Sequence, residues 1–175
     1  MVFLNRVIRA LRLDPQLYEE VEADKGSMWQ AMLVVVIVSV AAGIGSIGVL
    51  GIQGIIVGTL LDLIGWFLWA LLTYVIGTKL LPEPQTESDL GELLRVIGFA
   101  RSPGIFLILM LITAVGKIVA LVITIWMFVA MVIGVRQALD YKSTWRAAGV
   151  CLLGAVIYFV INVLVNAFFA NNGHA

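Results

Sequence analysis

The chain has 175 residues, 62% of them hydrophobic and 13% charged, and its eleven Lys/Arg balance eleven Asp/Glu to a net charge of zero. Soluble domains average about 45–50% apolar and about 25% charged residues, so a freely soluble globular protein is excluded. The even charge argues against nucleic-acid binding, which needs a clustered basic surface. The single cysteine, Cys151, lies inside an apolar run and excludes a disulfide framework or a paired-cysteine metal motif.

Residues 1–27 read as a cytoplasmic interfacial segment. Phe3, Leu4, Val7, Ile8 and Leu11 recur at helical spacing while Arg6, Arg9 and Arg12 fall elsewhere, which predicts a basic interfacial helix lying flat on the inner leaflet. Asp14 is a good N-cap and Pro15 fits a first helical turn. A second short helix is therefore expected over 15–24, made acidic by Glu19, Glu20, Glu22 and Asp24. Acidic sequence separates the basic residues from the first apolar run, so no cleavable signal is expected.

A five-span membrane domain is expected over 28–170, in an all-α architecture. The first span runs from about Met28 to Leu50; a turn at Gly51, Gln53 and Gly54 leads into the second, from about Ile55 to Leu80, closing a helical hairpin. In the loop that follows, Thr86 is placed to cap a helix carrying Leu90, Leu93, Leu94 and Ile97 on one face, with Asp89 three residues on and Gly98 as its stop. This predicts a second interfacial helix on the inner surface, leading into Ser102-Pro103. The third apolar run, 103–115, is short against the roughly 20 residues of a full span. Runs over 118–135 and 147–169 complete the set, with 171–175 as a short external tail.

The 103–135 region also fits one tilted helix or a re-entrant hairpin, and the basic residues arbitrate. With five spans, Arg6, Arg9, Arg12, Lys25, Lys79, Arg95, Arg101, Arg136, Lys142 and Arg146 share one side and Lys117 alone takes the other. Fusing the two runs leaves seven against three. Lys/Arg in short loops favour the cytoplasmic side, so five spans are expected, with the N-terminus inside and the C-terminus outside.

Within the spans, an ionisable residue is a functional hypothesis by default. Asp62 is the only such acid, about eight residues in from the outer end of the second span, hence roughly 12 Å deep at 1.5 Å per residue. Lys117 at the outer turn, and Asn162 and Asn166 on one face of the fifth span, are placed to share its level. Together they form a candidate polar cluster: a proton or ion site, or a head-group cleft. The plainer reading is that Asp62 ties helices together by a bond to Lys117 or an Asn.

Small residues are the other signal. Gly45 and Gly48 stand at the outer end of the first span and Gly54 and Gly58 form a small-x-x-x-small pair in the second, surfaces that let helices approach closely, most simply within the hairpin. Trp29 and Trp145 read as interface anchors, and Trp66, Trp69 and Trp126 as packing. There is no Gly-rich phosphate loop, no His-Glu-x-x-His helix and no G-x-S-x-G elbow, and His174 is the only histidine. No catalytic residue, metal or cofactor is therefore assigned.

The order of these features resembles bacterial members of the Yip family. Pro15-Gln-Leu-Tyr-Glu19, Trp29 opening a glycine-rich hairpin, Glu92-Leu-Leu-Arg-Val-Ile-Gly-Phe-Ala-Arg-Ser-Pro103 and Val135-Arg-Gln-Ala-Leu139 carry the resemblance, and Gly98-Phe-Ala-x-x-Pro103 is its most specific part. The resemblance implies a five-span membrane protein with a cytoplasmic N-terminus, whose eukaryotic relatives interact with Rab GTPases in vesicle traffic and membrane shaping. The chain departs from those relatives in lacking a long cytoplasmic N-terminal region and an Asp-Leu-Tyr-Gly-Pro type phrase. Asp14-Pro-Gln-Leu-Tyr18 is its nearest counterpart, so a Rab-type GTPase partner is not expected. The expectation is a non-enzymatic scaffold, membrane-organising protein or accessory subunit of the bacterial inner membrane, in contact with lipids and with other membrane subunits or itself. The alternative is a small transporter or lipid-binding protein using the cluster around Asp62.

Overall fold

The computed structural model describes the backbone of residues 2–112 and 115–172, and the side chains within them except at 49, 50, 162 and 165–172. The α-helices are α1 (Val2–Leu11), α2 (Pro15–Ala23), α3 (Met28–Gly45), α4 (Ile47–Val75), α5 (Leu90–Ala100), α6 (Gly116–Ala138) and α7 (Thr144–Asn172). A 3-10 segment, Ser102–Leu111, prolongs α5, and a π-helical turn, Ile76–Leu80, ends α4. Among the described residues, five stretches are long and apolar enough to cross a membrane: Lys25–Gly45, Gly51–Leu80, Leu90–Leu111, Gly116–Ala138 and Thr144–Ile161. The architecture is the expected all-helical bundle with five such helices.

The two N-terminal helices are joined by charge. Asp14 caps α2 by accepting from the Gln16 N–H at 3.0 Å, and Pro15 opens the helix. Arg6 donates to Glu20 and Asp24, each at 2.9 Å, and to Gln30 of α3 at 3.1 Å; Arg9 pairs with Asp14 at 2.7 Å and with Glu20. Hydrogen bonds from Arg9 and Arg6 hold the Glu20 carboxyl below its usual range, and those from Arg6 do the same for Asp24. Of the basic face expected on this helix, Arg12 is left exposed, whereas Arg6 is 7% exposed and turned inward. The acidic second helix supplies the counter-charges. The apolar residues divide likewise: Val7 and Ala10 are buried, Leu4 and Ile8 face outward.

The first hairpin turns earlier than expected. Helix α3 stops at Gly45, where the Leu107 carbonyl of the 3-10 segment lies 2.3 Å from the place a Cβ would occupy. Ser46 makes the turn, bonding back to the Ala42 and Gly43 carbonyls at 3.0 and 3.2 Å. Helix α4 then kinks at Gly51, whose φ of +64° and ψ of −178° suit glycine alone. The bend expected at 51–54 is thus shared between Ser46 and Gly51.

The main correction concerns residues 86–115. The predicted inner-surface helix and the predicted short third run form one stretch, Leu90–Leu111, and an apolar 18-residue length of it is 56% buried, the highest share among the five. Asp89, not Thr86, caps α5: the Glu92 N–H donates to Asp89 Oδ1 at 2.9 Å and the Asp89 N–H to Glu92 Oε2 at 3.0 Å, a capping box. Thr86 closes the turn before it, accepting from the Glu83 N–H at 2.9 Å. Leu93, Val96, Ile97, Phe99 and Ala100 are at most 1% exposed, and a helix buried on all sides belongs in a bundle interior, not on its surface.

Arg95, which the basic-residue count placed on the inner side outside the spans, lies buried within this one. Its guanidinium, 5% exposed, donates to the Val21 carbonyl at 2.9 Å and to that of Glu22, two groups that the end of α2 leaves without helical partners. A cation satisfied in this way needs no water. Tyr141, between α6 and α7, shares its hydroxyl between the Gly77 and Leu81 carbonyls at 2.9 and 2.7 Å. The core accordingly reaches from Leu17, Tyr18 and Val21 through Val34, Val35 and Val38 to Val135 and Ala138.

Candidate functional site

Asp62 lies eleven residues beyond Gly51 in its 30-residue span, roughly 17 Å from that end at 1.5 Å per residue. Ser39 of α3 donates to its Oδ2 at 2.7 Å, and Arg101 Nη2 approaches the same oxygen at 3.3 Å. Arg101 is the C-cap of α5, halfway along the third span. The chain changes there from an α to a 3-10 path because Pro103 has no N–H to continue the ladder. Gly104 follows, buried, with Val38 Cγ1 only 2.4 Å from the place a Cβ would occupy, so the segment presses against α3 and holds Arg101 at the level of Ser39 and Asp62.

Asp62 forms part of the wall of two cavities. One, of about 290 Å³, lies between α4, α5, α6 and α7; Asp62, Arg101 and Thr124 supply polarity, and Trp66, Trp69, Ile97, Met127, Phe128 and Met131 supply apolar wall. The other, of about 310 Å³, runs toward the Ser46 turn between α3 and α4, past Gly43, Gly54 and Gly58. Trp66 is fixed by its Nε1 donating to the Leu94 carbonyl at 3.0 Å. Trp69 packs edge-on to Tyr158 at 5.6 Å, and its indole Nε1 is buried with no acceptor. A carboxylate and a guanidinium making one long contact therefore meet on a cavity walled largely by hydrocarbon.

The described side chains cover only part of the cluster drawn from the sequence. Asp62 is joined to Ser39 and Arg101; Lys117 stands exposed at the start of α6, and the side chains of Asn162 and Asn166 lie outside the described residues, as does His174. Arg101 escaped notice because the basic-residue count assigned it to an inner loop; the apolar residues from Val96 to Leu111, interrupted only at Arg101-Ser102-Pro103, were the available signal. Among the glycines, Gly45 meets the 3-10 segment, while Gly48 and Gly58 face open space. Trp29 and Trp145 are 74% and 87% exposed, and Trp126 stacks on Phe106.

A polar pocket of about 410 Å³ is lined by Glu19, Glu22, Arg136, Gln137, Asp140 and Tyr141. Burial, then the charges of Glu92, Asp140 and Glu19, push the Glu22 carboxyl up to about 7, Arg95 opposing. Its Oε2 is buried with no hydrogen-bond partner. Among the described residues no group of three or more His, Cys, Asp or Glu side chains is placed to hold a metal ion.

These features define a multi-pass helical membrane protein with an ion pair inside its bundle. The family model for the Yip1 domain matches residues 9–164, and the chain belongs to that family. No curated protein and no solved structure matches it.

Proposed function

We propose that the protein is a non-enzymatic membrane-organising scaffold or accessory subunit. It sits in a bacterial cytoplasmic membrane in contact with lipids and with other membrane subunits or a second copy of itself. The observation that carries this reading is the state of α4. Only 11% of an apolar 18-residue length of its span is buried, against 56% in the third, and Gly58 on it has nothing within 4 Å of the place a Cβ would occupy. An open small-residue surface on an apolar helix fits close contact with a further membrane helix.

The orientation rests on charge. With Arg95 and Arg101 moved into a span, eight basic residues still lie at or beyond one set of helix ends and Lys117 at the other, which favours an inner N-terminus and an outer C-terminus. No cofactor, nucleic acid or Rab-type GTPase enters this reading.

Purification in a mild detergent, with the particle mass measured, tests it. The expected result is a complex heavier than one chain that Gly58→Leu dissociates. A particle that is always one chain alone contradicts the reading.

A further inference from the structure

We propose that the cavity beside Asp62 and Arg101 holds the headgroup of an aminophospholipid, its ammonium on Asp62 and its phosphate on Arg101. The first support is incomplete use of the ion pair. Arg101 has five N–H donors, and its contact with Asp62 is a single one at 3.3 Å instead of a two-pronged fork. The Ser39 hydroxyl and Arg101 both address Oδ2, so the carboxylate keeps acceptor capacity at Oδ1. Side-chain exposures of 22% for Arg101 and 40% for Asp62 leave both open to an occupant.

The charges select the ligand class. A lone cation meets Arg101 and a lone anion meets Asp62, whereas a zwitterion satisfies both at a depth where an uncompensated charge costs several kcal/mol. A primary ammonium offers three donors to a carboxylate, which a quaternary one lacks. The cavity's roughly 290 Å³ has room for a headgroup but not for acyl chains.

The surroundings select a lipid over a soluble zwitterion. Thr124, on the cavity wall, is exposed on the side of α6 that also presents Leu121 and Ile125, 61% and 55% exposed. That surface faces hydrocarbon, so chains can pass outward while the headgroup stays in. The second cavity, with Asp62 in common, extends from that carboxylate toward the Ser46 turn.

The test uses the full chain in nanodiscs of phosphatidylcholine doped with phosphatidylethanolamine or phosphatidylglycerol, then detergent extraction and native mass spectrometry of the retained lipid. The wild type should retain phosphatidylethanolamine several-fold over the other two. Asp62→Asn should lose the preference while still retaining phospholipid, and Arg101→Gln should retain neither. Thr124→Phe, which fills the cavity without touching the ion pair, should lower retention and decides the matter if either charge variant fails to fold. Equal retention of all three lipids overturns the proposal, as does a preference surviving in Thr124→Phe. Preference for phosphatidylcholine overturns it by pointing to the aromatic walls, and displacement by free phosphoethanolamine overturns the lipid as the source. None of these readouts depends on whether the particle contains one chain or several, so this proposal and the scaffold reading fail separately.

Discussion

Two acids in this chain sit in surroundings that ordinary surface carboxylates avoid, and each is handled differently. Asp62 is supported by a hydroxyl and a guanidinium from two other helices. Glu22 has no such donor at Oε2 and instead has its carboxyl pushed up to about 7 by burial and neighbouring acids. A carboxyl whose folded pKa is raised favours the protonated form in the fold. The stability it gives is fully present below its unfolded value of 4.5 and is lost as pH rises through about 7. Melting temperature should therefore fall over that window in the wild type. Glu22→Gln should flatten the profile and be more stable at pH 8, by about 1 kcal/mol after allowance for solvent screening. An unchanged pH profile in the variant contradicts this account. Arg6 gives a second test at this scale: Arg6→Met leaves Glu20 and Asp24 without their shared cation, so limited proteolysis should cleave the N-terminal helix faster, at a cost of about 1–2 kcal/mol.

At the scale of elements, the third span decides the architecture. Its first half carries Glu92 and Arg95, and its second half begins at Pro103, so charge and proline made two segments of what packs as one. The proline changes the helix type without ending the span, because the 3-10 segment continues against α3 and α6. Close backbone approach runs along this element: at Gly98 a Cβ would stand 2.8 Å from Ala31 Cβ and 3.1 Å from its carbonyl oxygen. Gly98→Ala should therefore destabilise by about 1–3 kcal/mol. Gly149→Ala, in α7 with nothing within 4 Å, should be neutral or stabilising by up to about 1 kcal/mol. Thermal unfolding in detergent compares them, and equal shifts for the two variants contradict the packing described.

At the scale of the molecule, what could be read from the sequence were the properties that depend on local pattern. Hydropathy marked five apolar stretches, Asp14-Pro15 marked the start of α2, and acidic and basic N-terminal segments were both visible. What could not be read was which charges meet. The pairing of Arg6 with Glu20 and Asp24, of Arg95 with the end of α2, and of Arg101 with Asp62 spans 14 to 74 positions and depends on helices packing in three dimensions. A count of basic residues by loop treats each arginine as solvated. It therefore moved two of them out of the bundle and left Lys117 as the nearest partner for Asp62.

The central claim is that the span beginning at Leu90 carries Arg101 into the bundle interior beside Asp62. A double-mutant cycle with Asp62→Asn, Arg101→Gln and the double variant, read by thermal unfolding of the purified protein, tests it most directly. The account predicts a coupling of about 0.5 kcal/mol or more between the two positions. Additive effects, agreeing within about 0.3 kcal/mol, would place Arg101 away from Asp62 and contradict it.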